Sequence, residues 1–416
     1  VAMVLGTPSL VTLMGEPYID VALLAYGAAG LAAVRRWRET DSDRWLVLAG
    51  ALGGMAFGAK FTGGVVGGAL GMAAMQGSAG WRPGLRSLVI IGLAGAALAA
   101  PWLIKNWLLT GNPTYPFFFR GEGWDAWRSQ WFNRPGTGLA YTAPWQLLAA
   151  PWLMSIWGEE GRDVWHATLG PLWLLVLPML PLTWRAWSPA ARRWAKEALV
   201  FAGALYAVWL YGAAESLLAI QPRLLFPVLP PLAVLAALAW EELAGLTLPQ
   251  LSIQRVVGSV IGLALALTAW QTAARFVAEG PGLALMGAEP AENFLYRRLG
   301  WHYEAQKQIN ALPSGSKVIF LFEPRAYYCD PGRCVPDGIL DRWWHARRLG
   351  GTAQSIAAEW RAAGATHVLV FTQAETFLRQ SRDPYEPGDW TELERLKGML
   401  TVEQNFGEAY VLYRLR

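Results

Sequence analysis

The chain has 416 residues, 54% of them hydrophobic and only 16% charged, against about 25% charged in an ordinary soluble domain. Its apolar residues gather in runs close to the roughly 20 residues that cross a bilayer, and its 24 tryptophans belong to a residue type that favours the membrane–water boundary. The composition is that of an integral membrane protein; a net charge of +4 with no concentrated basic patch argues against nucleic acid as a partner.

The chain opens at Val1 with no signal-peptide pattern, so a processed or partial version of a longer protein is expected. Residues 1–17 are too short and interrupted to span, and read as the tail of a helix followed by an interfacial turn. A first span is expected from Tyr18 to Val34, ending at Arg35, Arg36 and Arg38. The apolar region Trp45 to Gln76 is too long for one helix. Its Gly58-Ala-Lys60-Phe-Thr-Gly-Gly64 segment predicts two short antiparallel helices. A basic loop with Arg82 and Arg86 precedes a span from Leu88 to Leu109. That span stops at Thr110-Gly111-Asn112-Pro113, where glycine suits a left-handed closing residue and proline cannot continue the hydrogen-bond ladder.

Residues 111–167 form a long loop rich in Trp, Gly and Pro, with an interfacial helix expected between Pro144 and Trp157. Further spans are expected at Leu169–Leu182, Leu199–Ala213, Leu224–Trp240 and Val256–Ala274, which makes about eight. Basic loops favour the inner side of a membrane. Placing loops 35–44, 78–87, 183–198 and 241–255 inside leaves the Asp20 end, the Lys60 turn, the 111–167 and 214–223 loops and the tail outside.

From residue 280 the pattern changes to a small extracytoplasmic α/β domain, so the chain divides into 1–279 and 280–416. Lys317–Phe322 and His367–Thr372 read as buried strands, Ala353–Ala363 and Trp390–Leu400 as helices. Glu403–Phe406 and Ala409–Leu415 read as a hairpin closed at Gly407. The two cysteines, in Cys329-Asp-Pro-Gly-Arg-Cys334, fit a disulfide better than free thiols on an outer face. A metal site is weaker, because no second cysteine pair exists.

The chemistry-bearing residues stand where apolar runs end. Asp20 lies at the outer mouth of a span with Glu16 one turn earlier. It is either functional, as acids in membrane helices often are, or an N-terminal acid favoured by the helix dipole. Lys60 meets an anion or snorkels to the interface. Arg223 offers phosphate a planar fork of donors or anchors the interface. Lys105 and Asn106 fall on the same expected side. Asp125, Glu159, Glu160, Asp163 and His166 could add chemistry, though most read as solvated loop charges, and His302, His345 and His367 read as structural. The sequence has no phosphate-binding glycine loop, Ser-His-Asp pattern or zinc motif.

Four segments together carry a resemblance: Glu16-Pro-Tyr-Ile-Asp20, Gly58-Ala-Lys-Phe-Thr62, Trp102-Leu-Ile-Lys-Asn106 with Thr110-Gly-Asn-Pro-Thr-Tyr-Pro116, and Arg223-Leu-Leu-Phe-Pro227. Over most of residues 15–240 the chain resembles bacterial GT-C glycosyltransferases, the polytopic enzymes of the protein-mannosyltransferase and lipid A aminoarabinose transferase group. The resemblance implies transfer of a sugar from a polyprenyl-phosphate carrier to an extracytoplasmic acceptor. Asp20 would match the second acidic position, catalytic and able to hold a divalent metal or the acceptor. Lys60 and Arg223, with Lys105 and Asn106 beside them, would line the donor phosphate. The principal acid that such enzymes carry in their first outer loop has no counterpart in these residues. A non-catalytic membrane subunit that keeps this fold and packs against membrane lipid and membrane-protein partners is therefore the alternative. A transporter is the weaker third class, since no inverted repeat is visible.

Overall fold

The computed structural model describes every residue except 1, 17, 77, 79, 120, 122, 157–164, 166–167, 246, 249–250, 382–383 and 416. It divides into two compact units, Val1–Arg275 and Phe276–Arg416. The division falls inside the helix Ile253–Glu279, whose end is the boundary expected from the sequence.

The first unit is helical. After short helices Ala2–Leu5 and Pro8–Met14, helix α1 covers Asp20–Thr40, α2 Arg44–Ala59, α3 Gly64–Gln76 and α4 Trp81–Thr110. In the long connection, α5 spans Ala126–Asn133 and α6 spans Trp145–Ile156. Helix α7 (Pro189–Glu215) is capped by Ser188, whose hydroxyl accepts from Ala191 N, with proline in the first turn, where its missing N–H costs nothing. A 3₁₀ stretch, Pro222–Val228, feeds α8 (Leu229–Leu243), and α9 covers Ile253–Glu279.

Among the described residues four helices are long and apolar enough to cross a bilayer: Trp81–Thr110, Pro189–Glu215, Pro222–Leu243 and Ile253–Glu279. On the first and last of these, large apolar side chains such as Leu93, Leu108, Leu263 and Trp270 stand exposed. Water would not tolerate apolar area on that scale, and lipid would. Other expected spans take different forms. Helix α1 continues past Val34 through its three arginines. Helix α3, with 13 residues, reaches about 20 Å, short of the roughly 30 Å hydrocarbon layer. The expected span Leu169–Leu182 is broken into Leu172–Val176 and Met179–Thr183 at Pro178, which has no N–H to donate to a continuous helix.

Glycine brings the backbones of α2 and α4 together. A Cβ at Gly50 would lie 2.4 Å from Ile91 O, and one at Gly54 2.3 Å from Gly95 O. Leu31 and Val34 of α1, Leu46 of α2, Leu70 of α3, Phe201 of α7 and Leu235 of α8 fill the core between the helices.

The second unit is a five-stranded sheet with helices. Strands β1 (Val318–Leu321), β2 (Cys334–Val335), β3 (His367–Phe371), β4 (Thr401–Phe406) and β5 (Tyr410–Arg414) are ordered β2-β1-β3-β5-β4. The β1 pairings to β2 and β3 are parallel, and those of β5 to β3 and β4 antiparallel. All four β1 side chains are buried, which is why the strand reads as a continuous apolar run. The β4–β5 hairpin turns at Gly407, whose φ of 54° costs a glycine little. The described helices of the unit are Pro281–Leu285, Ala291–Leu299, Trp301–Asn310, Arg342–Arg348, Ala353–Ala362, Thr372–Ser381 and Pro387–Met399, besides the end of α9. The Cys329 and Cys334 sulfurs are bonded, with Cα atoms 6.2 Å apart.

Candidate functional site

Asp20 is the first residue of α1, with Ile19 as its cap. The unpaired N–H groups of a first turn favour a negative side chain. Yet Asp20 is only 1% exposed, and a carboxylate that deep needs cations. Two elements far away in sequence supply them.

Lys60 follows the last residue of α2 in extended conformation, and its carbonyl accepts from Gly63 N at 2.7 Å. The turn is so tight that a Cβ on Gly63 would sit 2.0 Å from Ala56 O. Glycine there lets α3 double back and aims Lys60 inward, where its Nζ donates to Asp20 Oδ1 at 3.1 Å. Arg223 enters from the 3₁₀ stretch, with Nε 4.0 Å from Asp20 Oδ2. Its guanidinium lies 4.5 Å from the Tyr18 ring centre and donates to Gln221 Oε1 at 2.8 Å. The Lys60 and Arg223 side chains are 30% and 13% exposed. Asp20 Oδ2 accepts no hydrogen bond among the described residues. The cluster carries one net positive charge and one carboxylate oxygen with spare acceptor capacity.

The segment after α4 stands against this turn. Asn112 is fully buried. Its Oδ1 accepts from Thr114 N and Oγ1 at 2.9 and 3.1 Å, and its Nδ2 donates to Phe117 O and Phe119 O at 3.0 and 2.9 Å. The chain thus wraps around one amide. Phe117 meets Phe61 edge to face at 5.3 Å, and Phe61 meets Phe57 at 5.4 Å, which ties the segment to the Lys60 turn. Phe118, at the tip, is 93% exposed.

The other sequence-derived candidates are placed elsewhere. Lys105 lies 3.8 Å from the Trp102 ring centre on the exposed side of α4. Asn106, the next residue, is buried and donates to Pro113 O at 3.4 Å. Neither touches Asp20 among the contacts of the described residues. Glu16 pairs with Arg275 at 3.0 Å, not with Asp20. Asp20 does not fit the divalent metal that the resemblance implies, because its surroundings are two cations instead of further carboxylates. Among the described residues no group of three or more His, Cys, Asp or Glu side chains is arranged to hold a metal. Sequence reasoning missed Tyr18 and Asn112; both lie inside segments already singled out, but nothing in composition marks a ring under an arginine or an amide at the centre of a turn.

A second buried polar cluster lies in the C-terminal unit. Glu323, fully buried, accepts from Arg325 Nε and Nη2 at 2.8 and 2.7 Å and from Tyr410 OH at 2.5 Å. His302 stands beside it, with Nδ1 3.3 Å from the same hydroxyl. Burial pushes the Glu323 carboxyl up, but bonds from Arg325, His302 and Tyr410 outweigh it and hold the group at about 2. Its acceptors are satisfied, which makes it a structural network. Desolvation holds His367 below the usual imidazole range, with Glu403 partly offsetting it.

Comparison of the chain with protein-family models, curated proteins and solved structures finds no match.

Proposed function

We propose that this protein is a membrane glycosyltransferase that moves a sugar from a polyprenyl-phosphate donor to an extracytoplasmic acceptor at the Asp20–Lys60–Arg223 cluster. The observation carrying the reading is a deeply buried carboxylate between two partly accessible cations, with one oxygen that accepts no hydrogen bond among the described residues. Lys60 and Arg223 suit the donor phosphate, a compact ammonium and a planar fork being complementary ways to bind it. The acceptor hydroxyl donates to Asp20 Oδ2. Its oxygen bonds to the sugar's C1 as the C1–O bond to phosphate breaks, its proton passes through Asp20 to solvent, and polyprenyl phosphate departs with its charge balanced by the cations. No step runs through a metal.

In this reading the helical unit is polytopic, with about eight membrane segments in the bacterial cytoplasmic membrane. The arginine-rich loops lie inside, and the Asp20 cluster and the C-terminal domain outside. A non-catalytic subunit is the second reading. It is favoured by the way Lys60 already occupies Asp20 Oδ1, which ties α1 to the α2–α3 turn without any ligand.

The test is release or transfer of labelled sugar from a polyprenyl-phosphate donor by the purified chain in vesicles. Wild-type activity falling by about 10²–10³ in Asp20→Asn or Lys60→Met, the usual effect of losing one transition-state contact, supports the enzyme. Equal turnover by wild type and both variants overturns it.

A further inference from the structure

At the other end of α1 the helical unit holds a 460 Å³ cavity, within the size range of ligand pockets. Its walls are apolar: Leu31 and Ala32 of α1 and Pro230 and Val234 of α8, with Trp194 of α7 and Arg35 at one end. Ala28 also borders it, and its separation of seven positions from Arg35 along α1 makes a trough about 10 Å long. The Arg35 guanidinium lies 5.8 Å from the Trp194 ring centre.

The polar end is cationic. Arg36, Arg192, Arg193 and Lys196 occupy the same ends of α1 and α7, where Arg38 and the buried Glu197 join the two helices at 3.3 Å. Arg35 pairs at 3.0 Å with Glu39, one turn away, with both side chains about half exposed. Such a pair contributes little and yields readily to a phosphate. Tryptophan at this level suits the headgroup boundary.

We propose that this trough is a binding site for an anionic phospholipid, one acyl chain lying against α1 and α8 and the headgroup phosphate at Arg35 and the neighbouring cations. Basic pockets between membrane helices hold anionic headgroups in this way. The proposal rests on the membrane placement of the helical unit but not on the chemistry at Asp20, which lies 15 residues away along α1, about 22 Å.

Native mass spectrometry of the full chain, with phosphatidylglycerol and phosphatidylcholine of identical acyl chains, tests it. Wild type retains phosphatidylglycerol in preference. Arg35→Gln lowers that retention about fivefold, the share of one cation near a charged headgroup. Ala32→Trp, which fills the trough, removes it, and Asp20→Asn leaves it unchanged. Melting temperatures confirm that each variant is folded; Arg35→Gln stands alone should Ala32→Trp fail to fold. Equal retention of the two lipids, or wild-type retention by Arg35→Gln or by folded Ala32→Trp, overturns the proposal. So does a second copy of the chain displaced by Ala32→Trp in place of lipid.

Discussion

Replacing Lys60 by methionine keeps the length of the side chain and removes the charge. Asp20 then keeps one cation, Arg223 at 4.0 Å, and loses the hydrogen bond to Oδ1, while staying buried. Breaking a fully buried pair costs about 3–5 kcal/mol, and an exposed pair contributes at most about 1 kcal/mol. Lys60 is partly exposed and Arg223 remains, so the expected loss is about 2–3 kcal/mol, between those limits. In a unit of this size that is roughly 5–10 °C of melting temperature. The companion Asp20→Asn leaves two cations facing a neutral amide and is also destabilising. The double variant removes both charges of the pair, so its loss falls short of the summed single losses by about 1–2 kcal/mol, the coupling expected of residues in contact. Thermal unfolding of the four proteins in one detergent measures this. Strict additivity would show that the Asp20–Lys60 contact contributes nothing, and would refute the reasoning.

Further outcomes follow from other features. Asn112→Ala removes the amide bonds that hold residues 112–119; at about 1 kcal/mol net each, the expected loss is about 2–4 kcal/mol, seen as faster limited proteolysis between Asn112 and Phe119 with the C-terminal unit intact. Gly63→Ala drives a Cβ into Ala56 O, so Lys60 is displaced, and donor binding falls while Gly58→Ala, which meets open space, leaves it unchanged. Glu323 has a folded pKa of about 2, lowered from 4.5. Its stabilisation is therefore complete above pH 4.5 and lost as pH falls toward 2, and near-UV circular dichroism should show Glu323→Gln with a flatter acid profile. His367, also lowered on folding, adds a loss that begins as pH falls below 6.5, because the unfolded imidazole takes the proton first. Removing the Cys329–Cys334 bond costs about 2 kcal/mol for so short a loop, read from denaturant unfolding of the double serine variant against wild type.

The C-terminal sheet was the most legible part of the fold. Val318–Leu321 and Val368–Val370 are apolar and buried on both faces, and Gly407 marks the turn between the last two strands, so local pattern and final structure agree there. The Lys60 turn was legible for the same reason, since glycines on either side of a lysine break an apolar run only one way. Helix register was not. Lys105 and Asn106 are adjacent in sequence, and α4 continues unbroken to Thr110. Successive residues on a helix point about 100° apart, so one faces outward and the other is buried. Glu16 was placed one helical turn before Asp20, but α1 starts at Asp20 and Glu16 lies outside it. The span expected at Leu169–Leu182 has the right hydropathy, and its helical turns are interrupted at Leu177–Pro178. The meeting of Asp20 with Arg223, 203 residues later, depends on how α1 packs on the 3₁₀ stretch and α8, which no short-range signal encodes.

In the proposed reading Lys60 and Arg223, held beside Asp20, bind the phosphate of a lipid-linked donor. This reading is tested most directly by equilibrium binding of labelled polyprenyl phosphate to the full chain, wild type against Lys60→Met and Arg223→Gln. Saturable wild-type binding that weakens at least tenfold in each variant, with the Lys105→Met control unchanged, is the predicted result. Binding that is absent in wild type, or the same in all four proteins, contradicts it.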